Sequence, residues 1–398
     1  MPGEGKPSRA HRQSVAFRVG IAAAVVAAVA ILAGTAGLAV SAASRSDHRP
    51  AGHERSGRRQ QAAGPLRVLA VSPSDGTTRL SGAASVQISF SAPVARASAD
   101  PRLSPSVPGQ WQVSGSTLVF TPDTPLAPST RFKLRIPAGQ AGIRSAAGSL
   151  LAKPVTTHFK TAAYAQLRLA ELLSNLGYLP LSWQPGAGGR LSSDPTRDGA
   201  ASQQELAYSP PAGSFTWQAG YPAALRSQWL PDRPNPLVRG AVMAFKAQHK
   251  MAINADATRK FWDKLFAAAQ AGQRNKVGYT YAIASKGAPE TLTIWHDDRV
   301  VLRSYANTGI PVAPTASGTF PVYLRYRYQV MRGTNPDGSK YADPVTFVAY
   351  FDGGDAVHYF PRGSYGSPQS LGCVELPYSD AERAWPYLTY GSLVTVTG

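Results

Sequence analysis

The chain has one cysteine, Cys373, and it lies in an unusual setting. Residues 357–377 read VHYFPRGSYGSPQSLGCVELP. A cysteine acts as a nucleophile through its thiolate, and an imidazole is the usual base that makes it. His358 lies fifteen residues before Cys373, enough for a strand to end and a loop to return. Gly372 immediately before the cysteine allows close backbone approach and can leave N–H groups facing the oxyanion of a tetrahedral intermediate. Ser370 is three residues before the cysteine. The plainer reading of a lone cysteine is a small buried hydrophobe, and it stands beside the catalytic one.

Other chemistries are poorly served. One cysteine excludes an internal disulfide and any cysteine-clustered zinc or iron–sulfur site. His296, Asp297 and Asp298 invite a metal reading. Three adjacent residues do not converge easily on one ion, and a polar hairpin turn explains them. No serine has a lysine three residues on, and neither a P-loop nor an HExxH run is present. Neither a metal nor an organic cofactor is expected.

Several elements must position Cys373 and His358. A chain of 398 residues suggests two or three domains. Hydrophobic residues make up 43% and charged residues 16%, with 37 glycines and 33 prolines. That is too apolar for a disordered chain and too turn-rich for a helical bundle. The formal charge is +18. No nucleic-acid motif accompanies it and it is spread through all segments, so no nucleic-acid partner is expected.

Residues 19–44 contain no charged side chain, and 26 residues exceed the roughly 20 that span a bilayer as a helix. We expect a cytoplasmic tail at 1–18 and a single-pass membrane anchor at 19–43, with the rest outside. Basic residues flank both ends, so the positive-inside rule alone does not orient it. Cleavage near Val40-Ser41-Ala42 is the alternative and would give a secreted protein. Residues 44–64 read as a flexible basic spacer. Its charge suits lipid headgroups and anionic wall polymers.

Three modules follow. Residues 65–162 carry short strand-like runs at 68–71, 86–90, 111–113, 117–121 and 132–136, which predict an antiparallel sandwich. The phrases SPSDG and ISFSAPV resemble bacterial Ig-like domains. Residues 163–275 show helical spacing, with Leu169, Leu172, Leu173 and Leu176 before Gly177, then stripes at 237–245 and 261–266. These three helices resemble a small peptidoglycan-binding module. A long insertion, 180–236, separates the first two and contains Trp183, Trp217 and Trp229, which suit core packing or sugar stacking. Residues 276–398 are β-rich, with a hairpin at 291–305 and strands at 318–328, 345–350, 356–360 and 393–396.

His358, Ser370, Gly372, Cys373 and Val374 together resemble the motif of L,D-transpeptidase catalytic domains: a His, about fourteen to seventeen residues, then Ser/Thr-x-Gly-Cys and an apolar residue. GIPVAPTASGTF and YGSLVTV resemble two further strands of that family. Two departures stand out. Leu371 occupies the place of a usual second His, and Glu375 stands where Arg or Asn is common.

The resemblance implies a mainly β multidomain protein with Cys373 as nucleophile and His358 as general base and acid. It implies support from Gly372 and Ser370 and from the Tyr359 backbone carbonyl. Arg362, Tyr365 and Gln369 are candidate substrate contacts. The implied substrates are peptidoglycan stem peptides and glycan. Transpeptidation, hydrolysis of the same bond as an L,D-carboxypeptidase, and non-catalytic wall binding all remain open at this level.

Overall fold

The computed structural model describes residues 64–96, 99–186 and 199–398. The expected tail and anchor, and the spacer up to residue 63, lie outside them. Among the described residues no helix is long and apolar enough to cross a membrane.

The first module contains β1 (Val68–Ser72), β2 (Thr77–Leu80), β3 (Val86–Phe90), β4 (Arg102–Ser104), β5 (Gly109–Ser114), β6 (Thr117–Pro122), β7 (Arg131–Ile136) and β8 (Val155–Thr161). They form two four-stranded sheets, ordered β1-β3-β6-β5 and β2-β8-β7-β4. Strand β7 shows why: Phe132, Leu134 and Ile136 point inward while Arg131, Lys133 and Arg135 alternate outward. They meet Val86, Ile88, Phe90 and Phe120 of the facing sheet in one core. The expected strands are all present. β2, β4 and β8 are additional, and their Arg, Thr and His content hid them from an apolar-run reading.

The second module contains α1 (Gln166–Asn175), β9 (Leu181–Pro185), α2 (Ala200–Tyr208), β10 (Gly213–Trp217), α3 (Ala223–Arg226), α4 (Pro236–Gln248) and α5 (Arg259–Gln270). Gly177, at φ +79°, ends α1. The Tyr178 N–H returns to the Leu173 carbonyl at 2.8 Å, satisfying a carbonyl that the helix leaves open. Asn235 caps α4 by accepting from the Val238 N–H at 3.0 Å, with Pro236 in the first turn. The three expected helices are α1, α4 and α5. Among the described residues of the insertion, β9 and β10 pair as an antiparallel hairpin. Trp183 is 6% exposed and packs edge-on against Phe215, which meets Trp229 in turn, while Trp229 faces Trp217. Core packing is therefore their observed use.

The third module contains β11 (Thr280–Ser285), β12 (Thr291–His296), β13 (Arg299–Tyr305), β14 (Gly318–Pro321), β15 (Leu324–Thr334), β16 (Lys340–Asp352), β17 (Asp355–Tyr359), β18 (Val374–Leu376), α6 (Tyr378–Ala384) and β19 (Leu393–Thr397). One sheet is ordered β13-β12-β11-β19-β14 and the other β15-β16-β17-β18. Leu292, Ile294, Leu302 and Val394 of the first face Phe347, Ala349, Val357 and Val374 of the second. The single strand expected at 318–328 is two strands in different sheets. Pro321 offers no N–H for the ladder, and the Tyr323 N–H already bonds Tyr350 of the other sheet. The 296–299 turn has Asp297 at φ +43° and Asp298 at φ +70°. Both central residues are thus left-handed, as a tight hairpin requires.

The modules touch. The Tyr208 hydroxyl donates to the Leu126 carbonyl at 2.6 Å, joining the helical unit to the sandwich. Tyr279, Tyr281 and Leu393 of the third module lie in the same buried cluster as the helices, with Ile283 and Trp295 packed against it.

Candidate active site

Strand β17 brings His358 to the site and the loop returning into β18 brings Cys373. The two strands run parallel, with His358 level with Glu375. Across from β17, strand β16 carries a bulge: Thr346 pairs with Tyr359 but Ala349 with Val357. One extra residue on β16 falls opposite His358, and Phe347 there has φ +60°. Such a bulge turns the local strand and re-aims its neighbours.

The loop that carries Cys373 hangs from residues 307–309. Glu290, 3% exposed, accepts from the Thr308 N–H at 2.6 Å and the Thr308 hydroxyl at 2.7 Å. The Thr308 carbonyl then receives the N–H groups of Gln369 at 2.9 Å and Ser370 at 3.0 Å. Ser370 is buried. Its hydroxyl donates to the Cys373 carbonyl at 2.6 Å and accepts from the Gly372 N–H at 3.2 Å. Gly372 has φ +119°, and a Cβ there would lie 2.3 Å from Asp355 Oδ1. Glycine is needed on both counts.

His358 and Cys373 line one cavity of about 340 Å³, with Asp343, Asp355, Arg362, Gln369, Leu371 and Glu375 among the other walls. A larger cavity of about 720 Å³ lies between α4 and α5, lined by lysines including Lys246, Lys250, Lys260 and Lys264. It contains no cysteine.

His358 is 3% exposed. Its Nδ1 lies 3.0 Å from the Tyr359 carbonyl oxygen, which only accepts. Nδ1 therefore carries the proton and Nε2 is left as the basic nitrogen. Burial pushes the imidazole below its usual value; the Tyr359 carbonyl and the Glu375 charge oppose that, and the Arg362 charge adds to it. Burial pushes the Cys373 thiol up to about 12, against the Ala356 N–H, with the charges of Asp355 and Glu375 adding to the rise. Both shifts favour the uncharged forms of the thiol and the imidazole. The thiol donates to the Gly354 carbonyl at 3.9 Å. Cys373 is nonetheless partly open to solvent, so a substrate can reach it.

The remaining expected residues divide. Gly372 does not offer a free N–H in this arrangement, because Ser370 Oγ accepts it. Arg362 lines the cavity but is held by Glu375: Nε and Nη2 donate to its carboxylate at 2.8 Å each, and Nη2 also donates to the Gln369 carbonyl at 2.9 Å. Glu375 thereby neutralises the charge of this candidate substrate contact. The Tyr365 hydroxyl donates to the Phe360 carbonyl at 2.7 Å, and Tyr365 is not among the cavity walls. The Gln369 amide braces Ser364 and Ser367 within the loop. Sequence reading missed Glu290, Asp343 and Asp355. Asp355 sits in the turn DGGD, whose only signal is that of a hairpin.

Residues 279–396 match the family model of the L,D-transpeptidase catalytic domain, and residues 62–161 match that of the bacterial Ig-like domain. Among curated proteins none matches the sequence significantly. Similar solved structures include an L,D-transpeptidase from Mycobacterium smegmatis, 16% identical over 84% of this chain and 100% of that one, with a TM-score of 0.29. L,D-transpeptidase 3 from Mycobacterium tuberculosis is 14% identical over 83% and 98%, with a TM-score of 0.29. The catalytic domain of the Enterococcus faecium L,D-transpeptidase is 26% identical over 30% and 98%, with a TM-score of 0.28.

Proposed function

We propose that this chain is a peptidoglycan L,D-transpeptidase that cross-links stem peptides through a Cys373 thioester. His358 Nε2 takes the thiol proton as sulfur attacks the amide carbonyl of the third residue of a tetrapeptide stem. The C–N bond breaks, and the imidazolium gives that proton to the departing D-Ala amine. The side-chain amine of a second stem's third residue then attacks the thioester. A C–N bond forms, the C–S bond breaks, and the thiol is restored.

The observation that carries this reading is the shared cavity of Cys373 and His358, with His358 held as the Nδ1–H tautomer, in a domain of this family. One feature favours a second outcome: Cys373 is partly open to solvent. Water reaching the thioester gives an L,D-carboxypeptidase. The rest of the chain suits a tethered enzyme. An anchor at 19–43 would hold the catalytic end outside the membrane, and the helical unit would hold glycan, raising local concentration.

The test is incubation of the purified chain with a disaccharide tetrapeptide, followed by mass spectrometry. Dimers linked through two third residues support transpeptidation, and tripeptide alone supports hydrolysis. Cys373→Ala is expected to abolish both and to lose any covalent carbapenem adduct. Unchanged turnover in Cys373→Ala sinks the nucleophile. Binding to sacculi with no thiol-dependent turnover leaves a non-catalytic wall-binding protein.

A further inference from the structure

The two sheets of the Ig-like domain differ completely in charge. Strands β1, β3, β5 and β6 contain no charged residue. In the other sheet, every charged residue of β2, β4, β7 and β8 is a cation: Arg79, Arg102, Arg131, Lys133, Arg135 and Lys160. Arg102, Arg131, Lys133, Arg135 and Lys160 are all exposed. Among the described residues none of these five has a carboxylate within ion-pair distance.

Their register concentrates the charge. Arg131 lies directly opposite Lys160, and Arg135 directly opposite Arg102. Like charges directly opposite on a sheet destabilise it. Two such pairs on one face are against the fold's interest unless something else neutralises them. Each pair also borders its own depression. Arg131 and Lys160 line one with Thr77, Thr78 and His158, of about 340 Å³. Arg102 and Arg135 line another with Asp100, of about 680 Å³. Lys133 stands between them on β7. Side chains two apart on a strand are about 6.7 Å apart, so the pairs are about 13 Å apart with one cation midway.

We infer that this sheet face binds a linear phosphodiester polyanion lying along β7, with an anionic group at each cation pair and one at Lys133. The row favours a strand-like polymer over a lipid surface. The face offers no large apolar residue to enter a bilayer: the exposed Leu69 belongs to the opposite sheet. The role is independent of the reaction at Cys373. It would hold the domain to an anionic polymer while the catalytic end works on peptide.

The experiment measures binding of the purified full chain to a labelled poly(glycerol phosphate) oligomer across a salt series. Arg131→Glu/Arg135→Glu is compared with Arg303→Glu/Arg332→Glu, an equal charge change at exposed sites of the catalytic domain. The face variant should bind at least about tenfold more weakly, with the salt slope reduced by roughly 1.4–1.8, since each lost phosphate contact removes about 0.7–0.9. The control variant should stay within about twofold. Arg135→Gln should raise the domain's melting temperature by relieving repulsion from Arg102, which shows that weaker binding there is not unfolding. Equal weakening in both double variants overturns the inference in favour of net charge. Face-dependent binding to vesicles of phosphatidylglycerol and phosphatidylcholine, with none to the polymer, overturns it in favour of a lipid surface.

Discussion

Arg362 and Glu375 meet through two hydrogen bonds of 2.8 Å each, on the wall of the cavity that holds His358. The Glu375 side chain is 5% exposed and that of Arg362 28%. The guanidinium fork satisfies the hydrogen-bonding capacity of the buried carboxylate. Removing one partner leaves the other charge uncompensated. Arg362→Ala should therefore destabilise the chain by about 3 kcal/mol in denaturant unfolding. Arg362→Met combined with Glu375→Gln should recover a good part of that loss, a coupling a double-mutant cycle measures. Additive effects of the two changes would show that the pair contributes nothing as a pair.

Gly372 bears on both the loop and the nucleophile. Alanine there must adopt φ +119° and place its Cβ 2.3 Å from Asp355 Oδ1. The backbone conformation alone is disfavoured by about 1–3 kcal/mol. Gly372→Ala should lower the melting temperature and slow carbapenem acylation of Cys373 at least about tenfold. Wild-type acylation in a folded Gly372→Ala protein would remove Gly372 from the account of the site.

Asp355 gives a prediction of opposite sign. Burial raises its pKa from 3.8 to about 6, against the Ala316 N–H, which lowers it, and with the charge of Asp352 adding. A carboxyl whose folded pKa is raised binds more protons folded than unfolded between the two values. Its charged form therefore destabilises the fold above about pH 6, and the penalty fades as pH falls toward 4. Two pKa units correspond to at most about 3 kcal/mol, and partial exposure brings the expectation nearer 1. Asp355→Asn should be more stable than the parent at pH 7.5 and lose that advantage by pH 4. An equal or lower melting temperature at pH 7.5 contradicts the burial argument.

The pH profile of acylation follows from His358. As the base, its Nε2 must be unprotonated, and burial lowers its pKa below the usual 6.5. The acylation rate of Cys373 by a carbapenem should rise with pH through a midpoint below 6.5 and level off above it. His358→Gln should remove this acid limb along with most of the rate. A midpoint well above 6.5 would mean that the imidazole is not desolvated as described.

Much of this site was legible because the proposed chemistry asks for particular residue types. Cys373, His358, Ser370 and Gly372 could be picked from a string, and so could the alternation of β7 and the leucine spacing of α1. What escaped has no fixed type. Glu290 works by accepting from Thr308, and Asp355 by filling the space above Gly372, and both depend on register between distant strands. Sequence marks Arg362 as a candidate substrate contact and does not show that Glu375, thirteen residues on, closes over it. The strand expected at 318–328 failed at Pro321, where a missing donor outweighs a continuous β-prone run. The boundary near 275 shows in the sequence as a change of period, but the surface the two modules share there does not.

That shared surface yields the last prediction. Tyr279, Tyr281 and Leu393 are each 7% exposed or less, and they lie in one cluster with Leu237, Ala241 and Phe245 of α4. The Tyr221 hydroxyl donates to the Tyr279 carbonyl at 3.1 Å across the same boundary. A fragment starting at residue 276 would present Tyr281, Ile283, Trp295 and Leu393 to water on the outer face of the β13-β12-β11-β19-β14 sheet. Each large side chain exposed forfeits roughly 1.5–3 kcal/mol, together comparable with the whole stability of a domain that size. The 276–398 fragment should aggregate or melt far below the 164–398 fragment, which keeps the helices. Equal melting temperatures would show that the catalytic domain closes its own core and that the helical unit is merely adjacent. A large difference would mean that the helices complete the fold that holds His358 and Cys373, so that losing them costs activity even on substrates too small to touch them.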